Sequence, residues 1–265
     1  MTVFRGEVIA FYRRHGRIFP WREDITPYRI VVSEIMLQQT GVERVMEKYE
    51  PFIRSLPGFE SLAAAPLRDI MEAWQGLGYN RRALSLKRLA EVVMERHSGG
   101  LPRDRGPLLA LPGVGEATAG AIMAFAFNAP AVFIETNIRR VFIHRFFEDQ
   151  ARVSDRQIMP LVEAALDRSN PRDWYYALMD YGSALGKTGH NPNRRSAHYA
   201  RQTPFDSSDR KIRGEIIRLL LKEGSATVDD MTGAMGHHTD RLTAVLSAMV
   251  GEGLVAQEAG CYRIA

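Results

Sequence analysis

The chain has 265 residues, 45% of them hydrophobic, enough material for about two domains with real cores. Its 35 Lys and Arg against 31 Asp and Glu leave a formal charge of +4, an excess that permits a nucleic-acid partner without requiring one. No run of 18 apolar residues and no charged-then-apolar leader occurs, so a cytoplasmic protein without membrane association is expected, and the single cysteine, Cys261, excludes a disulfide framework or a cysteine-ligated cluster.

The predicted elements are almost all helical up to about residue 205. Thr2 to His15 reads as an amphipathic helix closed by Gly16, and Thr26-Pro27 starts a second that runs to about Leu37. Thr40-Gly41-Val42-Glu43 has the form of a capping box for a third helix reaching about Arg54. Further helices are expected over Gly58 to Ala64, Leu67 to Gln75, Arg81 to Arg96, Ser154 to Ser169 and Pro171 to Leu185. Lys187 to Asp209, rich in Asn, Arg, Ser, Gly and Pro, marks a boundary. Beyond it, Arg210 to Lys222, Val228 to Met235 and His237 to Glu252 read as helices, and Leu254 to Ile264 alternates weakly around Gly260. Three helices and a hairpin predict a winged-helix-like module whose third helix could read a groove. His237, His238 and Arg241 give that helix a sparse recognition surface, so a protein-contact role stays open beside DNA contact. Cys261, near the end of the expected strand, reads as a small core residue.

The chemistry concentrates between Leu111 and Asn137. Pro107 suits the first turn of a short helix, Pro107 to Leu111, and Leu111-Pro112-Gly113-Val114-Gly115 then forms a hairpin. Gly113 and Gly115 permit positive φ and close backbone approach. The helix that follows, Glu116 to Asn128, carries a small-residue stripe of Ala117, Ala121 and Ala124. Its amino end offers free N–H groups and positive dipole to a phosphate oxygen. A tight turn between two packed helices would look the same, but Phe-Ile-Glu135-Thr-Asn137 places a lone carboxylate about 20 residues beyond the hairpin. A backbone that grips phosphate and an acid that faces a sugar point to chemistry on nucleic acid. A second acid, Glu34, lies among Val31, Val32, Ile35, Met36 and Leu37. Such surroundings raise a carboxyl pKa and suit a general acid, although a solvated stripe is the ordinary fate of a glutamate. Gln38-Gln39-Thr40 follows at once, polar groups able to hydrogen-bond into an opened base stack.

Taken together, Ser33-Glu34-Ile35-Met36-Leu37-Gln38-Gln39-Thr40, Gly76-Leu77-Gly78-Tyr79, Leu111-Pro112-Gly113-Val114-Gly115 and Glu135-Thr136-Asn137-Ile138-Arg139-Arg140-Val141 resemble the helix-hairpin-helix DNA glycosylases of the endonuclease III and MutY superfamily. The wording Met-Leu-Gln-Gln-Thr is closest to the MutY-type adenine glycosylases, and the resemblance covers about residues 5 to 190. It implies a mainly α, two-domain helix-hairpin-helix glycosylase fold, to which the tail pattern adds the C-terminal winged-helix-like module at 210–265. A six-helix domain would span 20–131, and a second helical domain would combine 1–19 with 132–205, with Glu135 at the mouth of the cleft.

The resemblance also assigns roles. Glu34 matches the acid that protonates a departing purine, and Gln39, with Gln38, matches side chains that fill the gap left by a flipped base. Tyr79 matches an aromatic wedge entering the stack near the opposite base. Leu111, Gly113, Val114 and Gly115 match the phosphate clamp, whose carbonyls can hold a monovalent cation, and Asn137 joins them in DNA binding. Trp21, in Phe19-Pro20-Trp21-Arg22, matches a residue near the base pocket, or else packs in the core. Tyr176 stands where a polar amide that contacts adenine is common. Glu34 and Glu135 would divide the acid and charge-stabilising roles.

Three departures qualify this. Glu135 stands where the family has aspartate, moving the oxygens by roughly one bond length, a scale to which catalysis is sensitive. Ala117 occupies the place of the Schiff-base lysine of the bifunctional members, so a monofunctional hydrolysis without lyase activity is expected. The four cluster cysteines are absent, which excludes an iron–sulfur cluster, and Lys187 to Asp209 fills that region. There Lys187, Arg194, Arg195 and Arg201 could contact phosphate or form a solvated loop, and His190 and His198 are too few for zinc. No 8-oxoguanine-recognition domain of the MutY type is expected either. The expected partner is double-stranded DNA carrying a mismatch or damaged base, bound by a monomer associated with the nucleoid. Adenine opposite guanine or 8-oxoguanine leads; a mispaired or oxidised pyrimidine, or a non-catalytic lesion sensor, stays open.

Overall fold

The computed structural model describes residues 1–188, 191–200, 205 and 208–265. In chain order its helices are α1 (Thr2–His15), α2 (Pro20–Glu23), α3 (Pro27–Leu37), α4 (Val42–Ser55), α5 (Phe59–Ala64), α6 (Leu67–Ala73), α7 (Arg81–His97), α8 (Arg105–Leu109), α9 (Glu116–Phe127), α10 (Thr136–Phe146), α11 (Asp155–Ala165) and α12 (Pro171–Lys187). A 3-10 turn at Pro192–Arg195 follows, then α13 (Asp209–Glu223), β1 (Ser225–Ala226), α14 (Val228–Met235), α15 (Thr239–Glu252), β2 (Val255–Glu258) and β3 (Cys261–Ile264). None of the described helices is long and apolar enough to cross a membrane.

The chain forms two compact units. One comprises Met1–Glu34, Arg103–Ala110 and Val114–Arg201. Its core is aromatic: Phe4 of α1 meets Phe142 and Phe146 of α10 and Trp174 of α12 edge-on, at centroid separations of 5.1 to 6.0 Å, the geometry the ring quadrupoles favour. Arg5 caps the end of α11 by donating from Nε to the Ala165 carbonyl, at 2.8 Å, and from Nη2 to that of Leu166, at 2.6 Å, satisfying helix-end acceptors. Helix α9 approaches the 129–134 segment through Gly120, where a Cβ would meet Phe133 at 2.6 Å.

The other unit comprises Ile35–Pro102, Leu111–Gly113 and Gln202–Ala265. Helices α4, α6 and α7 bury Val45, Tyr49, Phe52, Ile70, Leu86 and Leu89. The tail is a winged helix in topology: three helices with a sheet ordered β1-β3-β2, antiparallel throughout. It is fastened to the same unit by polar anchors. Arg68 donates to the carbonyls of Leu220, at 3.2 Å, and Leu221. Arg88 donates to the Glu252 carbonyl at 3.1 Å, and the Glu252 carboxylate pairs with Arg213 and, at 3.7 Å, with Arg81.

Local corrections are physical. The expected capping box at Thr40 does not form: α4 is capped by Gly41 without a side-chain bond, because Thr40 Oγ1 accepts from Arg82 Nη2 at 2.8 Å instead. Helix α8 starts at Arg105, two residues before Pro107. Only Gly113 of the two hairpin glycines has positive φ, +79°; Gly115 is extended, at φ −97°. Helices α2 and α10 lie where the periodicity predicts no element. Cys261 opens β3 and is half-buried.

Candidate active site

Both candidate acids lie in the first unit. Glu34 is the last residue of α3 in that unit, on a helix whose Val31, Val32 and Ser33 are wholly buried. Burial, followed by the charge of Glu135, pushes its carboxyl up to about 8, and Arg22 opposes the rise. Such a group holds its proton at neutrality and can give it away.

Glu135 is the N-cap of α10. Its Oε1 accepts from the backbone N–H groups of Asn137 and Ile138, both at 2.7 Å, and its Oε2 accepts from Asn137 Nδ2 at 3.3 Å. The extra methylene relative to aspartate is thus folded back onto the helix end, a favourable place for negative charge. Burial still raises its pKa, outweighing the two backbone hydrogen bonds and the nearby Arg139 and Arg140.

A polar network fixes this cap. Arg140 Nη1 donates to Asn137 Oδ1 at 2.9 Å and to the Gly182 carbonyl at 2.6 Å, while its Nε donates to Asn191 Oδ1 at 3.1 Å. Asn193, 6% exposed, donates to the Thr136 carbonyl at 2.9 Å. Gly182 and Gly186 of α12 make the close approach possible, since a Cβ at either would strike Asn137 or the Arg140 guanidinium.

Tyr176 is also coupled to Glu34, whose charge contributes to raising the phenol pKa behind the larger effect of burial. It is 4% exposed, its ring stacks on Phe125 at 4.6 Å, and its buried hydroxyl has no hydrogen-bond partner among the described residues. Arg22 lies 4.3 Å from the same ring and pairs with Asp180 through both nitrogens, at 2.9 Å each. Burial pushes Asp180 up, but the hydrogen bonds and charge of Arg22 and Arg17 prevail and hold its carboxyl below the usual range. Trp21 is buried and stacked on Phe19, centroids 4.9 Å apart.

The candidate wedge residues lie in the second unit. Gln39 and Tyr79 adopt left-handed backbone conformations, φ +57° and +49°, which cost a non-glycine residue of order 1 kcal/mol or more and cluster at functional sites. One buried side chain, Arg82, holds both loops. It donates to the carbonyls of Ile35, at 2.9 Å, Met36, at 2.8 Å, and Gln38, at 2.5 Å, and to Leu77 and Gly78, at 3.3 and 3.1 Å. Burial lowers its pKa to about 10. Gln38 Nε2 donates to the hairpin carbonyl of Gly113 at 3.3 Å, and a Cβ at Gly113 would meet Ser85 at 2.9 Å.

The structure therefore groups Glu34, Glu135, Asn137 and Tyr176 in one unit with Val114 and Gly115, and Gln38, Gln39, Tyr79, Leu111 and Gly113 in the other. Sequence reasoning missed Arg22, Asp180, Arg82, Arg140 and Asn191; the only local signal was Arg22 beside Trp21. Of the basic residues considered for phosphate, Arg195 instead caps α10, donating to Phe147 and, at 2.5 Å, Glu148 carbonyls. Lys187 and Arg194 are exposed; Arg201 and His190 lie outside the described residues. Among the described residues no three His, Cys, Asp or Glu side chains could hold a metal ion together. In the tail, His237 contacts Glu215 at 2.6 Å and Arg241 pairs with Asp209 at 2.8 Å, so two of the three expected groove residues are engaged within the module.

A helical frame with a glycine hairpin and two coupled acids is that of a helix-hairpin-helix DNA N-glycosylase. Residues 32–166 match the family model described as HhH-GPD superfamily base excision DNA repair protein, and the chain belongs to that superfamily. It is 30% identical over 272 residues to the adenine DNA glycosylase of Mycobacterium tuberculosis, covering 94% of this chain and 89% of that one. To the adenine DNA glycosylase of Buchnera aphidicola subsp. Baizongia pistaciae it is 32% identical over 188 residues, 69% of this chain; it spans only 53% of that relative's length. Among solved structures it is similar to a thermostable thymine-DNA glycosylase, with a TM-score of 0.64 and 29% identity, covering 72% of this chain and 89% of that one.

Proposed function

We propose that the protein is a monofunctional glycosylase that hydrolyses the N-glycosidic bond of adenine mispaired with guanine or 8-oxoguanine in double-stranded DNA, acting as a monomer. The observation that carries this reading is the pair of coupled acids: Glu34, pushed up to about 8, keeps a proton to give, and Glu135 sits at a helix amino end that favours its anion. Once the adenine is out of the stack, which costs a few kcal/mol, Glu34 protonates it. The bond from the sugar's C1′ to the base breaks and its electron pair leaves with the neutral purine. Glu135 stabilises the positive charge left on the sugar and takes a proton from the water that adds to C1′. Glu34 ends ionised and Glu135 protonated, and exchange with solvent resets both. Tyr176 and Trp21 line the base pocket, the free Tyr176 hydroxyl serving as a polar contact. Leu111, Gly113, Val114 and Gly115 grip a phosphate, and their carbonyl oxygens would suit a monovalent cation. Ala117 supplies no amine, so strand cleavage requires alkali.

Similarity to a thymine-DNA glycosylase favours a second reading, excision of a mispaired or oxidised pyrimidine. Single-turnover assays on duplexes carrying each mismatch and lesion, with and without alkali, decide between them. Base release abolished by Glu34→Gln and by Glu135→Gln supports the enzyme. Tight binding without release on every duplex would make the protein a lesion sensor instead, and strand cleavage without alkali would contradict the monofunctional reading.

A further inference from the structure

The tail, residues 209–265, has no part in the chemistry above, yet it does not stand apart from the wedge. Arg210, in the first turn of α13, donates from Nη1 to the Tyr79 hydroxyl at 2.8 Å, and its guanidinium lies 5.7 Å from the Tyr79 ring centroid. Arg82 lies over the same ring at 5.4 Å. Tyr79 thus has a strained, left-handed backbone held by Arg82 through the carbonyls around it, and a phenol tip held by the tail.

The module is built to keep that contact in register. Arg241 of α15 pairs with Asp209, the residue beside Arg210, and so ties the third helix to the first turn of α13. His237, ahead of α15, contacts Glu215, six residues further along α13. Arg68, Arg81 and Arg88 anchor the far ends of α13 and α15 to the wedge-bearing unit. These engagements tie α15 to the stretch of α13 that carries Arg210, while Arg241 itself stays exposed.

We propose that the C-terminal module is a working part of the duplex-opening apparatus: through Arg210 it holds Tyr79 in the pose from which the ring enters the base stack of a mismatched duplex. Arg210 is then a positioning residue. A side chain fixed before DNA arrives loses less rotamer entropy on insertion, and preorganisation of this kind appears in the equilibrium for opening the duplex. The inference rests on the reading of Tyr79 as the residue that enters the stack.

The test uses the full chain carrying Glu135→Gln, so that no base is released, and a duplex with 2-aminopurine beside a mismatched adenine, whose fluorescence reports unstacking. Arg210→Met, Arg210→Lys, Tyr79→Phe and the Arg210→Met/Tyr79→Phe double variant are compared, with Arg263→Ala on β3 as control. Arg210→Met and Tyr79→Phe are each expected to lower the opening constant about two- to tenfold, the worth of one hydrogen bond with its cation–π contact. Arg210→Lys recovers part of the loss, and the double variant is no worse than the worse single. Losses that multiply in the double variant, or wild-type opening by a fully folded Arg210→Met protein, would overturn the proposal. Should Arg210→Met unfold, Tyr79→Phe, which removes only the hydroxyl, carries the same test, and unchanged opening by it sinks the idea. A Tyr79→Ala protein that opens the duplex normally overturns this inference alone. Absence of base release by the wild-type chain on every duplex overturns the glycosylase reading alone, because opening is measured without release.

Discussion

Replacing Glu34 by glutamine should make the protein more stable and nearly inactive at once. In the unfolded chain the carboxyl titrates at its ordinary value of 4.5, and in the fold at about 8. The sign follows from the raised value: the folded state binds the extra proton, so stability is complete below 4.5 and is lost as pH rises through about 8. At pH 7 this costs about 3 kcal/mol, trimmed to about 2–3 kcal/mol by the solvent that reaches a half-buried side chain. Glutamine keeps the shape of the protonated acid and cannot titrate. Glu34→Gln is therefore expected to match wild type at pH 4.5 and to melt roughly 5–10 °C higher at pH 8, while base release falls about 10²- to 10⁴-fold for want of the acid. Thermal melts across pH 4.5 to 9, paired with single-turnover kinetics, measure both. Parallel melting curves, or a variant less stable than wild type at pH 8, would refute the claim that burial holds this proton.

The wild-type rate should follow a bell in pH, rising as Glu135 ionises at a pH above the ordinary 4.5 and falling near 8 as Glu34 loses its proton; the two limbs belong to the coupled pair, and a rate still flat beyond pH 9.5 contradicts the assignment. Glu135→Asp should stay within about tenfold of wild type, because aspartate also accepts from the N2 and N3 amides of a helix; Glu135→Gln should fall by at least about 100-fold, and equal rates for the two would show that charge at this position is irrelevant. Gly182→Ala should force α10 from α12 at Asn137, costing about 1–3 kcal/mol and at least about tenfold in rate, so wild-type kinetics at an unchanged melting temperature would exclude the tight packing. Arg82→Met strands carbonyls in two loops and should lower stability by about 3 kcal/mol or more; urea titration checks this, and a loss below 1 kcal/mol would mean that water replaces the guanidinium.

Much of the candidate site was legible because its parts are local. Glu34, Glu135 and the hairpin Leu111–Gly115 each announce themselves within a dozen residues, and the winged-helix topology follows from three amphipathic stretches and a hairpin. The arginines were not legible. Arg82 finds acceptors from Ile35 to Gln38, more than forty positions away, and Arg140 finds Asn191 across 51. Nothing in the surrounding sequence distinguishes them from arginines on a solvated face. The capping box failed for the same reason: Thr40 fits the local pattern, but a charged donor brought by the fold outbids the amide of its own helix. The contacts of the tail were not legible either: Asp209 and Glu215, on another helix, take up Arg241 and His237.

The left-handed backbones of Gln39 and Tyr79 bear on engineering. A library sorted only by survival of heating would drift toward glycine or asparagine at both positions, since each relaxes roughly 1 kcal/mol of torsional strain. Such winners would look improved by every measure of robustness and would have lost the two side chains proposed to enter DNA. Thermostabilising this scaffold therefore calls for those two positions to be frozen first, with the search directed to the helices behind them.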